Sequence, residues 1–491
     1  MYYYSTNHTA ARATLRDAVV RGLAEDRGLY MPEVIKQLPA SFWDEISKLS
    51  FQDVAYRVAD AFFGEDVEAA ALRKIVNDTL AFDCPIVKVE ENIYALELFH
   101  GPTLAFKDVG ARFMARLLQY FSPSPNPSPV RAGNEETPAD SQSPLPNRGG
   151  AGEGAVNVLV ATSGDTGSAV ANGFLGVDGI HVYVLYPKGK VSPIQECQFT
   201  TLGQNITAVE VDGVFDDCQA LVKSAFMDKE LNAHMRLTSA NSINVARFLP
   251  QAFYYFWAYA QIVNRKLSNR KFVCCVPSGN FGNICSALFG HVMGLPVKRF
   301  IAANNANSVF YEYLQTGEYR PRPSVQTIAN AMDVGDPSNF VRILDLYGRE
   351  DVQDILARRN IAQPLPSITA EAPNGQGGAT ADAPFISGAT YTDDQIAQTM
   401  RDCYARTGYI LDPHGACGYR ALKEQLEPDE IGIFLETAHP AKFKDTVDRI
   451  LGIDLPIPEK LQAFMRGQKQ SVPLSKDFAA FKAYLLSQAL R

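Results

Sequence analysis

The sequence has 491 residues, of which 46% are hydrophobic and 20% are charged, and its formal net charge at pH 7 is -8. This balance is typical of a globular protein with a sizeable core, and the length predicts about two to four domains. The negative net charge excludes a broad basic surface for nucleic acid or anionic membranes. Any bound anion must therefore be held by local groups.

The eight cysteines are scattered without a CxxC pair, and Cys274 and Cys275 lie inside the apolar run KFVCCVP. This pattern favours buried free thiols in a reducing compartment over disulfides or zinc ligands. The N-terminus lacks a secretory signal pattern, and no run of about 18 apolar residues predicts a membrane span. We therefore expect a cytoplasmic protein without a metal site.

Residues 1–84 form the first predicted unit. The segments TLRDAVVRGLAED and FQDVAYRVADAFFG place apolar residues three and four positions apart, which is the spacing of amphipathic helices. The sequence therefore predicts a mainly helical N-terminal domain.

From residue 85 onwards, short β-rich runs alternate with turns and helical segments. The clearest runs are PIVKVEE, IYALELF, AVNVLVAT, HVYVLYP, ITAVEVDG, KFVCCVP, RFIAAN and EIGIFLET. Near-continuous apolar strands that alternate with helices indicate parallel sheets covered on both faces. We predict an α/β fold with a smaller domain at 85–245 and a larger one at 246–491.

Two segments interrupt this alternation. Residues 122–155 are rich in Ser, Pro and Gly and contain almost no large apolar side chains, and residues 364–392 are similar but less extreme. Neither segment can bury enough apolar surface to offset the entropy of ordering, so both are predicted to be flexible insertions.

The motif HGPTLAFKD places Lys107 after an apolar run and beside Phe106. An amine in a desolvated pocket has a lowered pKa and can act as a nucleophile or Schiff-base former. Taken alone, the motif favours the simpler interpretation, a surface lysine that opens a helix.

Three further motifs are suited to anions. TSGDTGSA follows a strand and opens a helix, SGNFGN does the same after KFVCCVP, and TSANSINVAR carries Asn241, Ser242 and Arg247. Glycines turn backbone N–H groups towards a ligand, a helix N-terminus attracts negative charge, and arginine offers a bidentate fork. Each motif alone is also compatible with an ordinary capped turn or a polar loop.

A desolvated amine together with three anion sites suits a cofactor that carries both an aldehyde and a phosphate. It also leaves groups for a substrate with two anionic ends. Pyridoxal 5'-phosphate is the simplest such cofactor, because it serves as the electron sink of amino-acid chemistry.

In combination, HGPTLAFKD, TSGDTGSA, NSINVAR, SGNFGN and LETAHPAKF resemble the threonine synthase family, in its longer type with an extra N-terminal helical domain. The resemblance runs from about Thr6 to Leu455 and excludes the two insertions. It implies fold-type II of the pyridoxal phosphate enzymes, the tryptophan synthase β-like fold, with two open, largely parallel α/β domains.

The resemblance also implies roles for individual residues. Lys107 would bind the cofactor aldehyde as a Schiff base, Phe106 would lie near the cofactor ring, and Thr437 would meet the pyridine nitrogen. The cofactor phosphate would bind the loop formed by Gly279, Asn280, Phe281, Gly282 and Asn283.

Substrate contacts follow from the same resemblance. The anionic ends of the substrate would be held by Ser163, Thr166, Asn241, Ser242 and Arg247, with Arg247 at the substrate phosphate. Related enzymes often have asparagine at the position of Asp165, next to the cofactor ring oxygen. An acid there must be protonated, turned away, or stabilised by a nearby cation.

The implied activity is a lyase reaction that converts O-phospho-L-homoserine and water into L-threonine and phosphate. Two alternatives stay open: another enzyme of this fold, such as a serine or threonine dehydratase, and a non-catalytic protein that binds ligands on an inherited scaffold. The expected partner is the small-molecule substrate, without nucleic acid or membrane, and the expected assembly is a monomer or a homodimer.

Overall fold

The structure is a computed structural model that describes residues 1–121, 156–346 and 386–489. Within these ranges, none of the helices combines the length and apolar character needed to cross a membrane. The predicted insertion at 122–155 lies outside the described residues.

The N-terminal region combines helices with a small antiparallel sheet. Its elements are β1 (Tyr2–Ser5), β2 (Ala13–Thr14), α1 (Leu15–Arg21), β3 (Tyr30–Pro32), α2 (Ala40–Glu45), α3 (Phe51–Phe63) and α4 (Ala69–Thr79). The strand order is β2-β1-β3. Helix α3 begins after Ser50, whose hydroxyl accepts a hydrogen bond from the N–H of Asp53, and its apolar face is buried. The region is mainly helical as predicted, with a three-stranded sheet that the sequence did not indicate.

The elements that follow, in chain order, alternate strands and helices. They are β4 (Ile86–Glu90), β5 (Ile93–Glu97), α5 (Lys107–Phe121), β6 (Val156–Ala161), α6 (Asp165–Phe174), β7 (Ile180–Pro187), α7 (Pro193–Thr200), β8 (Ile206–Asp212), α8 (Phe215–Met227), α9 (Lys229–His234), β9 (Arg236–Ser239), α10 (Val245–Phe248), α11 (Ala252–Asn264), β10 (Lys271–Pro277), α12 (Gly282–Val292) and β11 (Arg299–Asn304).

The rest of the described chain continues this pattern. Its elements are α13 (Val309–Thr316), α14 (Phe340–Leu346), β12 (Ile386–Thr390), α15 (Asp393–Thr407), α16 (Pro413–Gln425), β13 (Glu430–Glu436), α17 (Lys444–Leu451), α18 (Glu459–Met465), β14 (Val472–Ser475) and α19 (Phe478–Ala489). All eight runs predicted as strands form strands.

Two open sheets form the α/β part of the molecule. The six-stranded sheet has the order β12-β11-β10-β13-β5-β4, and the five-stranded sheet has the order β14-β8-β7-β6-β9. All pairings in the two sheets are parallel, except that β4 runs antiparallel to β5. The inner strands are buried on both faces, as their apolar runs indicated, whereas the edge strands β4, β12 and β14 are only partly buried.

The sheets do not divide at the predicted domain boundaries. Strands β4 and β5 fall in the predicted smaller domain but pair within the six-stranded sheet, and β14 falls in the predicted larger domain but pairs with β8. The chain therefore enters one sheet, leaves it and returns. The apolar character of a strand shows that it is buried, but it does not show which neighbour it pairs with.

The predicted flexible insertion at 364–392 is wrong at its C-terminal end. Ile386–Thr390 forms β12, which pairs in parallel with β11 from Phe300 to Asn304. The segment ISGAT has few large apolar residues because β12 is an edge strand, with only one neighbour in the sheet. Residues 364–385 lie outside the described part of the chain.

Candidate active site

The predicted site residues lie beyond the carboxyl ends of parallel strands. Ser163 follows β6, Asn241 follows β9, the SGNFGN loop follows β10, Thr437 follows β13, and Lys107 follows β5. The carboxyl end of a parallel sheet is where open α/β folds bind their ligands. The two sheets therefore bring the motifs together, although they are far apart in sequence.

Lys107 is held against Thr437 by a short stretch of antiparallel pairing. The N–H of Phe106 donates to the carbonyl of Thr437 at 2.8 Å, and the N–H of His439 donates to the carbonyl of Leu104 at 3.0 Å. Ala105 and Ala438 form the bridge between these two bonds. The lysine is thus the first residue of α5, fixed beside the end of β13.

Lys107 is partly exposed as a residue, but its amine is desolvated. Burial lowers its pKa to about 8, the nearby Asp165 raises it, and Arg247 and Lys442 lower it further. Among the described residues, the amine has neither a hydrogen-bond nor an ion-pair partner. A lysine that only opened a surface helix would lack this environment.

The loop from Ser278 to Asn283 is built for close approach by a ligand. A Cβ atom at Gly279 would lie 2.7 Å from the Cα of Met332 and 2.8 Å from the carbonyl oxygen of Ala331. Phe281 has a left-handed backbone with φ +63°, and Gly282 begins α12. In the part of the chain that the structure describes, the N–H groups of residues 279–282 donate to no protein acceptor. Such a run of free N–H groups at a helix N-terminus fits a phosphate.

Hydrogen bonds tie this loop to two other segments of the chain. The Asn280 carbonyl oxygen Oδ1 accepts hydrogen bonds from the N–H and hydroxyl of Ser338, and its Nδ2 donates to Ser242 Oγ at 3.3 Å. Asn339 Nδ2 donates to the same Ser242 hydroxyl at 2.9 Å. Ser242, predicted as a substrate contact, is therefore also a support of the SGNFGN loop.

The TSGDTG loop is closed by its own first hydroxyl. Thr162 Oγ1 accepts hydrogen bonds from the N–H groups of Gly164 and Gly167 at 2.9 and 2.8 Å. Gly164 has φ +142°, a conformation that favours glycine. Ser163 and Thr166 are partly exposed, and their hydroxyls have no hydrogen-bond partner among the residues described. Both are therefore available to a ligand.

Asp165 is stabilised by a cation, which is the third of the three alternatives considered for it. Lys442 Nζ lies 2.5 Å from Asp165 Oδ1, and Gln195 Nε2 donates to the same oxygen at 2.8 Å. Burial alone would raise the pKa of Asp165, but Lys442 and Lys107 outweigh it and lower that pKa to about 2. Asp165 is therefore an anion at neutral pH.

Arg247 lies behind Lys107. Its Nε donates to the carbonyl of Ala240 at 3.1 Å and its Nη1 donates to the carbonyl of Lys107 at 3.0 Å. The residue is only 2% exposed, and burial lowers its pKa to about 10. Its guanidinium group thus supports the backbone of the lysine and adds positive charge beside the amine. The remaining predicted substrate residue, Asn241, donates its Nδ2 to the carbonyl of Ala161 at 3.3 Å.

Thr437 is buried, and within the described ranges its hydroxyl has no hydrogen-bond partner. His439, two residues later, accepts a hydrogen bond from the N–H of Ala441 through Nδ1 at 3.1 Å and so organises the loop around Thr437. Within the described residues, no group of three or more His, Cys, Asp or Glu side chains could hold a metal ion.

A buried acid pair beneath Thr437 was missed from the sequence. The N–H of Asp412 donates to Glu436 Oε1 at 3.2 Å, and Asp412 Oδ1 lies 2.5 Å from His414 Nδ1. His414 Nε2 in turn accepts from the N–H of Ala331, which packs against Gly279. Burial and the charge of Asp412 raise the pKa of Glu436 well above its ordinary value. Glu436 therefore keeps its proton to a higher pH than an exposed carboxyl group does.

This assignment predicts that Glu436→Gln gains stability relative to the wild type as pH rises. The unfolded chain loses the Glu436 proton above about pH 4.5, whereas the folded chain keeps it, so the wild-type free energy of unfolding falls with rising pH. Glutamine carries no such proton. The difference between the two proteins in urea unfolding should grow as pH rises above about 4.5, by at most about 1.4 kcal/mol per pH unit. If the free energies of unfolding of the wild type and Glu436→Gln changed with pH in the same way, Glu436 would be ionised in the folded protein.

Comparison with known proteins identifies the family. The model of the threonine synthase N terminus matches residues 2–80, the model of the pyridoxal-phosphate dependent enzymes matches residues 78–359, and the model of the threonine synthase C-terminal region matches residues 415–485. Together these matches cover the N-terminal region and every strand of the two sheets except β12.

Full-length relatives agree with the family models. The chain is 42% identical over 486 residues to threonine synthase of Haemophilus influenzae, which covers 99% of this chain and 100% of the relative. It is 39% identical to threonine synthase of Escherichia coli over 487 residues, with 99% and 100% covered.

Solved structures show the same fold. The crystal structure of threonine synthase from Escherichia coli matches with a TM-score of 0.82 and 37% identity, covering 99% of this chain and 100% of that one. The pyridoxal phosphate-bound threonine synthase from Brucella melitensis matches with a TM-score of 0.84 and 32% identity over 100% of both chains. The chain therefore belongs to the threonine synthase family of pyridoxal phosphate-dependent enzymes.

Proposed function

We propose that this enzyme is a lyase that converts O-phospho-L-homoserine and water into L-threonine and phosphate, with Lys107 as the catalytic residue. The observation that carries the proposal is the unpartnered, desolvated amine of Lys107, placed among three anion-binding motifs. One of these motifs would bind the cofactor phosphate. The other two would bind the carboxylate and the phosphate of the substrate.

The residues present fit pyridoxal 5'-phosphate. Lys107 would hold the aldehyde end, the free N–H groups of Gly279, Asn280, Phe281 and Gly282 at the start of α12 would hold the phosphate, and Thr437 would meet the pyridine nitrogen. Asn283 follows Gly282 in α12 and would complete this loop, and Phe106, next to Lys107, would lie near the cofactor ring. When bound, the cofactor withdraws electrons from the substrate and thereby acidifies the protons on Cα and Cβ.

Lys107 is suited to move those protons. Because burial brings its pKa to about 8, both the neutral and the protonated amine are populated near neutral pH. The neutral amine can take the proton from Cα and, once it has released that proton, take a second one from Cβ. It can return a proton to Cγ after phosphate has left. Water supplies the hydroxyl group at Cβ, and a proton returns to Cα. It serves several steps because α5 keeps it tethered beside the reacting carbons.

The substrate anions would be held by the two remaining motifs. Ser163 and Thr166 offer free hydroxyls at the N-terminus of α6, where the helix dipole favours a negative group. Asn241, Ser242 and Arg247 lie between β9 and α11 and face the lysine segment and the SGNFGN loop. We assign the substrate phosphate to the side of Arg247, where positive charge is concentrated.

We also propose a cytoplasmic location and a monomeric or homodimeric assembly. All eight cysteines are free, and seven of them are buried, which suits a reducing compartment.

The substrate assignment is tested by product analysis with the purified, cofactor-loaded protein. Incubation with O-phospho-L-homoserine should release phosphate and threonine in equal amounts. Incubation with L-serine or L-threonine should yield 2-oxo acids at a rate at least about a hundredfold lower, which corresponds to roughly 2.7 kcal/mol of discrimination. Efficient 2-oxo acid formation without phosphate release would instead identify a dehydratase.

Arg247→Lys tests the anion assignment while keeping the charge. Lysine cannot reproduce the two N–H donations to Ala240 and Lys107, nor present a fork to a phosphate. We expect kcat/KM for the phosphorylated substrate to fall about a hundredfold, since a charge-assisted hydrogen bond contributes roughly 1.5–3 kcal/mol. The exposed Arg16→Lys variant is the matched control and should behave as the wild type. Unchanged kinetics in Arg247→Lys would remove Arg247 from the site.

A further inference from the structure

A buried ion pair joins the two sheets beside Lys107. Lys442 lies in the short 3-10 turn Pro440–Phe443 that follows β13, and Asp165 is the first residue of α6, which follows β6. Their charged atoms are 2.5 Å apart, and their side chains are 0% and 4% exposed. The pair therefore connects an element of the six-stranded sheet with an element of the five-stranded sheet.

Both partners make further contacts at the site. Lys442 Nζ donates to the carbonyl of Thr103 at 2.9 Å, and Thr103 lies in the segment that leads to Lys107. Gln195 Nε2 donates to Asp165, and Gln195 packs directly against Gly164. One ammonium group thus ties the lysine segment to the TSGDTG loop.

The charges around Lys107 explain why Asp165 needs a partner. Three charged groups face the lysine amine: Asp165, Arg247 and Lys442. Lys442 itself is faced by ionisable groups on several elements, namely Asp165, Lys107, Asp108, His439 and Cys197. A lone carboxylate beside Lys107 would hold a proton on its amine. The positive charge of Lys442, paired with Asp165, offsets part of that attraction.

We propose that Lys442 is a positioning residue that neutralises Asp165 beside Lys107 and fixes the TSGDTG loop to the lysine segment, so that the amine remains available in its uncharged form. The uncharged form matters because Lys107 Nζ must add its lone pair to the aldehyde carbon, with loss of one water, when the cofactor is taken up. The inference rests on the proposed function only in using Lys107 as the cofactor lysine.

The test is the rate at which the cofactor-stripped full-length protein takes up pyridoxal phosphate as a function of pH, followed by visible absorption. The Lys107→Ala protein measures the background from other lysines. The midpoint of the pH profile reports the protonation of Lys107, and ionisation of the free cofactor is common to all variants.

Opposite shifts are expected for the two single substitutions. Lys442→Met removes a cation and should raise the midpoint by about one pH unit, slowing uptake at pH 7 about tenfold. Asp165→Asn removes an anion and should lower the midpoint. In the double variant, which carries both Lys442→Met and Asp165→Asn, the midpoint should lie close to the wild-type value. Lys444→Met, two residues along and paired with Asp448 and Asp454 at the surface, should leave it unchanged.

General damage to the site would move both single variants in the same direction and would not be repaired in the double variant, so either result overturns the inference. An unchanged midpoint in Lys442→Met also overturns it. A failure of Lys442→Met to fold would be visible in circular dichroism. Asp165→Asn then provides the test, because it must lower the midpoint of the pH profile of cofactor uptake. Failure of the proposed substrate is seen separately, as uptake of cofactor by the wild type without phosphate release.

Discussion

Lys107→Ala is expected to abolish threonine formation and to remove the covalent attachment of the cofactor. The structure places this amine at the start of α5, with a pKa lowered to about 8 and with no partner among the described residues. Alanine can neither bind the cofactor aldehyde nor move a proton. Because proton transfer by a positioned side chain alone contributes about 10²–10⁴-fold, we expect turnover to fall by at least about a thousandfold. Phosphate release and the visible absorption of the purified protein measure the two effects.

Lys88→Ala provides the matched control for this loss. Lys88 is an exposed lysine on β4, and its removal should leave turnover and colour unchanged. A Lys107→Ala protein that kept wild-type turnover, with the cofactor still attached covalently, would show that another lysine is the catalytic residue.

The second large effect is expected for Gly279→Ala. A Cβ atom there would meet the Cα of Met332 at 2.7 Å and the carbonyl oxygen of Ala331 at 2.8 Å, and backbone atoms cannot move aside as a flexible side chain can. The loop must therefore shift, which misdirects its N–H groups. Overpacking of this kind costs about 1–3 kcal/mol, so the affinity for pyridoxal phosphate should fall roughly tenfold to hundredfold in equilibrium titration.

Gly408→Ala separates steric conflict from the general cost of replacing a glycine. Gly408 ends α15 with φ +73°, and a Cβ atom there meets nothing within 4 Å. This variant should lose some stability, because a left-handed residue disfavours alanine, but its cofactor affinity should match the wild type. Equal affinities in Gly279→Ala and the wild type would show that the SGNFGN loop does not hold the cofactor phosphate.

The strands were predictable because a buried parallel strand carries its signal in its own residues. KFVCCVP and EIGIFLET have nearly continuous apolar interiors and form β10 and β13 at the centre of a sheet. Edge strands carry a weaker signal. Ile386–Thr390 reads as a loop, and its strand state depends on pairing with β11.

Sheet membership could not be predicted from the same runs. PIVKVEE and IYALELF have the composition of strands, but nothing in them specifies that they join β13 rather than the nearer β6. Pairing depends on how crossovers pack, which is a property of the whole chain.

At the site, the residues were predictable where a motif carries its own chemistry. Lys107 and the SGNFGN loop fall into this class. Lys442, Gln195 and Glu436 do not, because each acts through contacts with residues far away in sequence. Lys442 even lies within the quoted motif LETAHPAKF, but only the geometry shows that its partner is Asp165. From the sequence, a nearby cation was one of three ways to accommodate the acid at Asp165. The fold shows that this cation is Lys442.

The most direct test of the account is to locate the covalent attachment of the cofactor. The holoenzyme is reduced with borohydride, digested with trypsin and mapped by mass spectrometry. The account predicts one reduced cofactor adduct, on Lys107, in protein that also releases phosphate from O-phospho-L-homoserine. An adduct on another lysine, or active protein without any adduct, would contradict it.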